Sequence, residues 1–143
     1  MQTDAGGLAT RAEIKVSCGY ASTWGTKLSQ IARSKGEVIL CTYSLPKLEY
    51  LYKILDKRSD ITIICHSSFT NKAIVLKRKY PALKVVLKDD VHAKIALIGP
   101  NTTILSSANF GSSGWFEHGA IIKSEDVYNF YRTELEVLIN DEN

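Results

Sequence analysis

The chain is poor in cysteine, proline, methionine and histidine, and it has no long apolar run. Three cysteines in 143 residues is an odd number. Cys18, Cys41 and Cys65 form no C-x-x-C pair, so neither a disulfide framework nor a zinc site is expected. Cys41 and Cys65 fall in apolar runs and read as buried, reduced thiols. No stretch of about 18 apolar residues occurs, which excludes an ordinary membrane-spanning helix. Residues 1–12 lack the apolar centre of a secretory signal, so a cytoplasmic location is expected. His66, His92 and His118 match no metal-binding spacing, so no metal and no cofactor is expected.

What remains is the composition of a globular protein, 45% hydrophobic and 23% charged, which excludes wholesale disorder. The length suits one domain with a core of its own. Residues 1–10 are small and polar, with Gly6-Gly7, and read as a flexible N-terminus; residues 11–143 read as the single domain. The net charge of +3 conceals an asymmetry. Residues 1–100 hold 16 Lys/Arg against 8 Asp/Glu, and the rest hold 2 against 7. Such a split fits a basic binding face with an acidic element apart from it, or simply solvated surfaces.

Hydrophobic periodicity predicts strands at Glu13–Cys18, Glu37–Thr42, Ile61–Cys65 and Leu83–Leu87, with helices over Trp24–Ser34, from Ser44 to about Lys57, and over Asn71–Tyr80. In the second helix Ser44 reads as the cap and Pro46 as a first-turn residue. Alternating strands and helices argue for a largely parallel sheet with helices on both faces. After Asp89-Asp90 the rhythm changes. Val91–Ile98 alternates with period two, Gly99-Pro100-Asn101 is a turn, and Thr102–Ser107 completes a hairpin. Glu117–Lys123 is a further strand. Ser124 caps a last, acidic-headed helix with Val127, Tyr131, Leu135 and Leu138 on one face.

Chemistry concentrates in the hairpin. His92 and Lys94 are two apart, so they share one face of a strand; Ser107 and Asn109 share a face of the next. Glu117 heads the following strand. An imidazole can be a nucleophile or a proton donor near neutral pH. A lysine and an asparagine can hold phosphate oxygens and the charge that builds on them. A carboxylate can fix a histidine's tautomer. The set suits phosphodiester chemistry without a metal. Lys72, Lys77, Arg78 and Lys79 make the third helix basic, joined by Lys84 and Lys88. With Trp115 and Phe116 beside the site loop, this fits a nucleic-acid backbone, though a solvated helix face reads the same way. His118, beside Glu117, is a candidate for shaping the pocket, and His66 reads as a loop residue.

His92-Ala93-Lys94, followed by Ser106-Ser107-Ala108-Asn109 and then Glu117-His118-Gly119, resembles the H-x-K, G-S-x-N and acidic signature of the phospholipase D superfamily. The step from Lys94 to Ser107 matches its small single-motif nucleases. Two positions depart: Gly99 stands where the family has Asp, and Ser106 where it has the first Gly. The resemblance implies a single phospholipase D-like unit, an α/β fold with a mixed, mostly parallel sheet flanked by helices on both faces. It implies a metal-independent phosphodiesterase, an endonuclease on DNA or RNA. One motif per chain implies a homodimer whose two motifs meet, with His92 forming a phosphohistidine, Lys94 and Asn109 cradling the phosphate, Glu117 orienting His92 and Ser107 supporting. The alternatives are a catalytically degenerate nucleic-acid-binding dimer and a lipid or small-molecule phosphodiesterase. No membrane partner is expected, since no amphipathic membrane helix is found.

Overall fold

The computed structural model describes residues 6–20, 24, 27–111 and 113–141, apart from the side chain of residue 28. Residues 1–5 of the expected flexible N-terminus, and residues 25–26 of the first predicted helix, lie outside the described residues. Seven strands form one sheet: β1 (Glu13–Gly19), β2 (Val38–Cys41), β3 (Thr62–His66), β4 (Lys84–Lys88), β5 (Ile95–Ile98), β6 (Thr102–Ser106) and β7 (Glu117–Lys123), in the order β1-β7-β6-β5-β2-β3-β4. Four helices cover it: α1 (Lys27–Arg33), α2 (Leu48–Leu55), α3 (Thr70–Lys79) and α4 (Glu125–Asn140). Among the described residues no helix is long and apolar enough to cross a membrane.

The fold is the mixed α/β unit expected, but its sheet is not mostly parallel in its pairings. Only β2–β3 and β3–β4 pair parallel; β2–β5, β5–β6, β6–β7 and β7–β1 are antiparallel. Five strands do run one way. The two that oppose them, β5 and β7, are each interleaved between two of the five, and this turns four pairings antiparallel. The cause is the hairpin. A short turn at Gly99-Pro100-Asn101 can only reverse the chain, whereas the crossovers through α2 and α3 return it parallel.

Alternate residues of the central strands feed two cores. Val38, Leu40, Ile63, Cys65, Ala96 and Ile98 face α1, α2 and α3 together with Trp24, Ile31 and Leu76. Ile39, Cys41, Ile64, Ile95 and Leu97 face α4 through Tyr128 and Leu135. All four residues of β2 and all four of β5 are buried, as strands covered on both sides must be. Burial pushes the Cys41 thiol up to about 12 and the Cys65 thiol up to about 11, so both are inert thiols at neutral pH. Ser124 caps α4 as expected, accepting the Val127 N–H at 3.1 Å. Ser44 does not cap α2. The helix opens after Lys47, because Leu45 is drawn into the core and the Ser44 N–H turns to Asn109. Pro46 therefore precedes the helix. β1 is the outermost strand beside β7, and residues 13–18 are exposed.

Candidate active site

One end of the sheet gathers the carboxyl ends of β2, β3 and β6 with the amino ends of β5 and β7. This follows from the interleaving: a reversed strand presents its start where its neighbours present their ends. His92 and Lys94 precede β5 and are not laddered into it, which shortens the expected strand Val91–Ile98 to Ile95–Ile98. Ser107 and Asn109 likewise lie past the end of β6 at Ser106. The last hairpin bond runs from the Ser106 N–H to the Lys94 carbonyl at 3.2 Å, and the next amide, Ser107, donates to the His118 carbonyl at 3.0 Å. The strands part at that point and leave the polar side chains at a mouth.

The Lys94 ammonium is 3.0 Å from His92 Nδ1. Nε2 is 3.5 Å from the same ammonium, so Lys94 lies over the ring rather than along the lone pair of one nitrogen, and both ring nitrogens stay open to substrate. Lys94 is held below the ordinary lysine range by burial, while the nearby Glu117 charge acts to raise it. Glu117 receives two hydroxyls: Ser107 Oγ donates to Oε1 at 3.0 Å and Ser113 Oγ to Oε2 at 3.1 Å. Ser107 Oγ also accepts the His118 N–H at 3.0 Å. Asn109 Oδ1 accepts from Thr42 Oγ1 at 3.2 Å and from the Ser44 N–H at 3.4 Å. That fixes the amide orientation and turns its NH2, the donor a phosphate oxygen needs, away from the β2 loop. Beneath this loop the Trp24 indole donates to the Ala108 carbonyl at 2.8 Å and stacks on Phe110 at 4.2 Å.

The expected set of His92, Lys94, Ser107, Asn109 and Glu117 is thus brought to one end of the sheet. The ring partners of His92 among the described residues are Lys94 and Tyr43, whose ring centroid lies 5.5 Å away; the Glu117 carboxylate is engaged by the two serines instead. Gly99 sits at the opposite end of β5, where its N–H donates to the Glu37 carbonyl at 2.8 Å. Some seven extended residues, about 20 Å, separate it from His92, so this departure from the signature falls outside the site. His118 lies on the other face of β7 from Glu117, beside Val16, Cys18 and Leu105.

Trp115 stands at the mouth, 81% exposed. Lys72, in the first turn of α3, is also at this end, and its ammonium donates to the Leu45 and Pro46 carbonyls at 3.4 and 3.3 Å. Lys77, Arg78 and Lys79 are in the last turn of α3, roughly 8–10 Å further toward the opposite end at 1.5 Å per residue. They are not brought together with His92, Lys94, Ser107, Asn109 and Glu117. Sequence reasoning missed Thr42 and Tyr43, which end a buried strand where α/β folds place ligands. It also missed Ser113, which grips Glu117, and a cleft of about 600 Å3. Pro46, Lys47 and Tyr50 form one side of that cleft and Asn109, Trp115 and Glu117 the other.

Residues 28–139 match the family model described as "Cardiolipin synthase, PLD-like domain". The chain belongs to the phospholipase D superfamily. Solved structures agree on the fold of this phospholipase D-like chain. NucT from Helicobacter pylori is 19% identical, with 89% of this chain and 96% of that one covered and a TM-score of 0.69. Nuc from Salmonella typhimurium, a phospholipase D family member, is 17% identical, with 90% and 95% covered and a TM-score of 0.66. TrmBL2, an archaeal chromatin protein with a novel mode of DNA binding, is 11% identical, with 86% and 50% covered and a TM-score of 0.63. At these identities the likeness is one of fold. No curated protein matches. Membership supports a phosphodiesterase-type enzyme in general, and the polar set described above is the part of this chain equipped for it.

Proposed function

We propose that the protein is a metal-independent nuclease acting on DNA or RNA as a homodimer, through a phosphohistidine. The observation that carries the reading is the Lys94–His92 contact at 3.0 Å, set beside an Asn109 amide held by Thr42 and Ser44. A phosphate entering there takes the Lys94 ammonium and the Asn109 NH2 on its non-bridging oxygens. Lys94 then moves from the His92 ring to the phosphate, and with the ring proton on Nδ1 the Nε2 lone pair attacks.

In the first step the His92 N–P bond forms and the P–O bond to the leaving nucleotide breaks. His92 of the partner subunit gives its Nε2 proton to that oxygen. In the second step the same imidazole takes a proton from water, the new P–O bond forms, and the N–P bond breaks. Two easier displacements replace a hard one. Glu117, fixed by Ser107 and Ser113, keeps Lys94 charged across the reaction. Trp115 at the mouth and Lys72 nearby favour a nucleic acid. The basic run Lys77-Arg78-Lys79, on the same helix as Lys72, supplies further phosphate contacts for a longer strand.

The test is cleavage of plasmid DNA and of RNA in excess EDTA, with His92→Ala as control and sedimentation for assembly. Cutting should persist with chelator, vanish in His92→Ala, and occur in a dimer whose mass the substitution leaves alone. An acid-labile phosphoramidate on the peptide containing His92, seen by mass spectrometry, should accumulate early in turnover. Undiminished cutting by His92→Ala, or a strictly monomeric active species, would sink the reading.

A further inference from the structure

We propose that the cleft beside Asn109 and Glu117 is a subsite for one unpaired nucleoside, which makes single-stranded nucleic acid the preferred substrate. The inference rests on the nuclease reading for its ligand class and on different residues for its content. The cleft measures about 600 Å3, within the range of small-ligand sites, a size that a nucleoside fits. It opens directly onto the Asn109 amide and the Glu117 carboxylate, so an occupant is joined to the phosphate being cut.

Its walls carry what a nucleoside needs. Trp115 offers an indole 81% exposed, with its backbone N–H tied to Ser113 Oγ at 3.2 Å, the same serine that grips Glu117. The backbone that carries the indole and the Glu117 carboxylate are thus tied to the same serine. Across the cleft stands Tyr50, whose phenol is pushed up by burial and so remains a proton donor at neutral pH. Lys47 is exposed at the same wall and can meet the next phosphate. Outside the cleft, Phe116 and Tyr20 are 60% and 77% exposed and pack edge to face at 5.1 Å. Water-exposed rings in succession are costly unless something covers them, and stacked bases do so without sequence preference.

Strandedness follows from the geometry of stacking. Within a duplex both faces of a base are covered and its pairing edge is engaged, so it can offer Trp115 nothing. Only a base already unpaired can enter at no unstacking cost. Ser44, Lys47, Ser113 and Asn109 line the cleft beside Trp115 and Tyr50, a mixture of polar groups and rings that suits a nucleoside, and the vesicle arm of the experiment tests a lipid occupant.

The experiment is quenching of tryptophan fluorescence by a short oligothymidylate, by a hairpin duplex, and by phosphatidylglycerol vesicles, using the full chain. Trp24 is fully buried, so the exposed indole of Trp115 dominates any quench. We expect the single strand to bind about tenfold or more tighter than the duplex. Trp115→Ala should weaken it about five- to hundredfold, the range for losing one stacked base, with Trp115→Phe in between. Lys47→Ala should lower the slope of log affinity against log salt by about one. Equal affinity for the duplex, an unquenched indole, Trp115→Ala binding like the wild type, or tighter binding to vesicles would each overturn the proposal. Hydrolysis of bis(p-nitrophenyl) phosphate, compared between wild type and His92→Ala, reports on the chemistry separately. Single-strand quenching without such hydrolysis keeps the subsite and removes the nuclease reading.

Discussion

The ring of Tyr43 lies 5.5 Å from the imidazole of His92. It also meets His66 at 4.6 Å, and Phe69 approaches it edge-on at 6.0 Å. His66 is itself fixed. Its Nδ1 accepts the Ser68 N–H at 3.1 Å, and Nε2 lies 3.1 Å from the Asp89 carbonyl, so Nδ1 bears no proton and Nε2 donates. Tyr43 thus touches both a bonded histidine and the proposed nucleophile. Tyr43→Phe is expected to keep activity. Tyr43→Leu should lower kcat about two- to tenfold, since an aromatic pair is worth about 0.5–1.5 kcal/mol, with KM little changed. Steady-state kinetics on an oligonucleotide checks this, and a loss in KM alone would contradict it.

Thr42 is fully buried and holds Asn109. Thr42→Val preserves shape and removes the hydroxyl, leaving Asn109 Oδ1 short of a donor and the Phe110 N–H, 3.4 Å from Thr42 Oγ1, short of an acceptor. A loss of about 1 kcal/mol in urea unfolding is expected. A larger effect, about tenfold or more, should fall on kcat, because a misdirected amide misplaces the phosphate.

Lys94 gives a pH signature. Its ammonium is less stable than in water, so the proton leaves below the ordinary value of 10.5. Activity that needs the charge should therefore fall on the alkaline side earlier than for an exposed lysine. Glu117 opposes this shift. In the residual activity of Glu117→Gln the alkaline limb of kcat/KM should move to still lower pH, and an unmoved limb would show that Lys94 does not titrate there.

Far from the site, Glu37 accepts from Arg132 Nε at 2.7 Å, from Arg132 Nη2 at 3.2 Å and from the Tyr128 hydroxyl at 3.3 Å. The Arg132 hydrogen bond is the main reason its carboxyl lies below the usual 4.5. A depressed carboxylate stabilises the fold above its unfolded value and loses that contribution as pH falls through the folded one. The side chains are 30% and 49% exposed, so the gain is about 1 kcal/mol or less. Arg132→Ala should lower thermal stability by that order near neutrality, and the deficit should shrink below pH 4.5. A deficit that is constant with pH would assign Arg132 a packing role only.

The hairpin, the buried strands and the α4 cap were all legible in the sequence, because each depends on local pattern: VILC has no polar face to show water, and Ser124 sits three residues before the Val127 amide it caps. Sheet order was not legible. Nothing in the alternation of VHAKIALI says that it inserts between β6 and β2 and so makes two pairings antiparallel. The five catalytic candidates were readable because they lie within 26 residues of chain, from His92 to Glu117. Tyr43, Lys47 and Tyr50 were not, since they reach the site only through the way β2 and α2 pack. The basic run at Lys77–Lys79 shows the converse: one helix carried it in sequence toward the site, but a helix has two ends.

The outermost strand carries a consequence of another kind. β1 has no neighbour on its far side among the described residues, and Ile14 and Val16 on it are 56% and 75% exposed. An unpaired edge with exposed aliphatics is a template for strand-by-strand growth. Glu13 and Lys15 alternate with those side chains along the strand and act as gatekeepers against it. A second copy adding to this edge would have to bring its own strand against both charges.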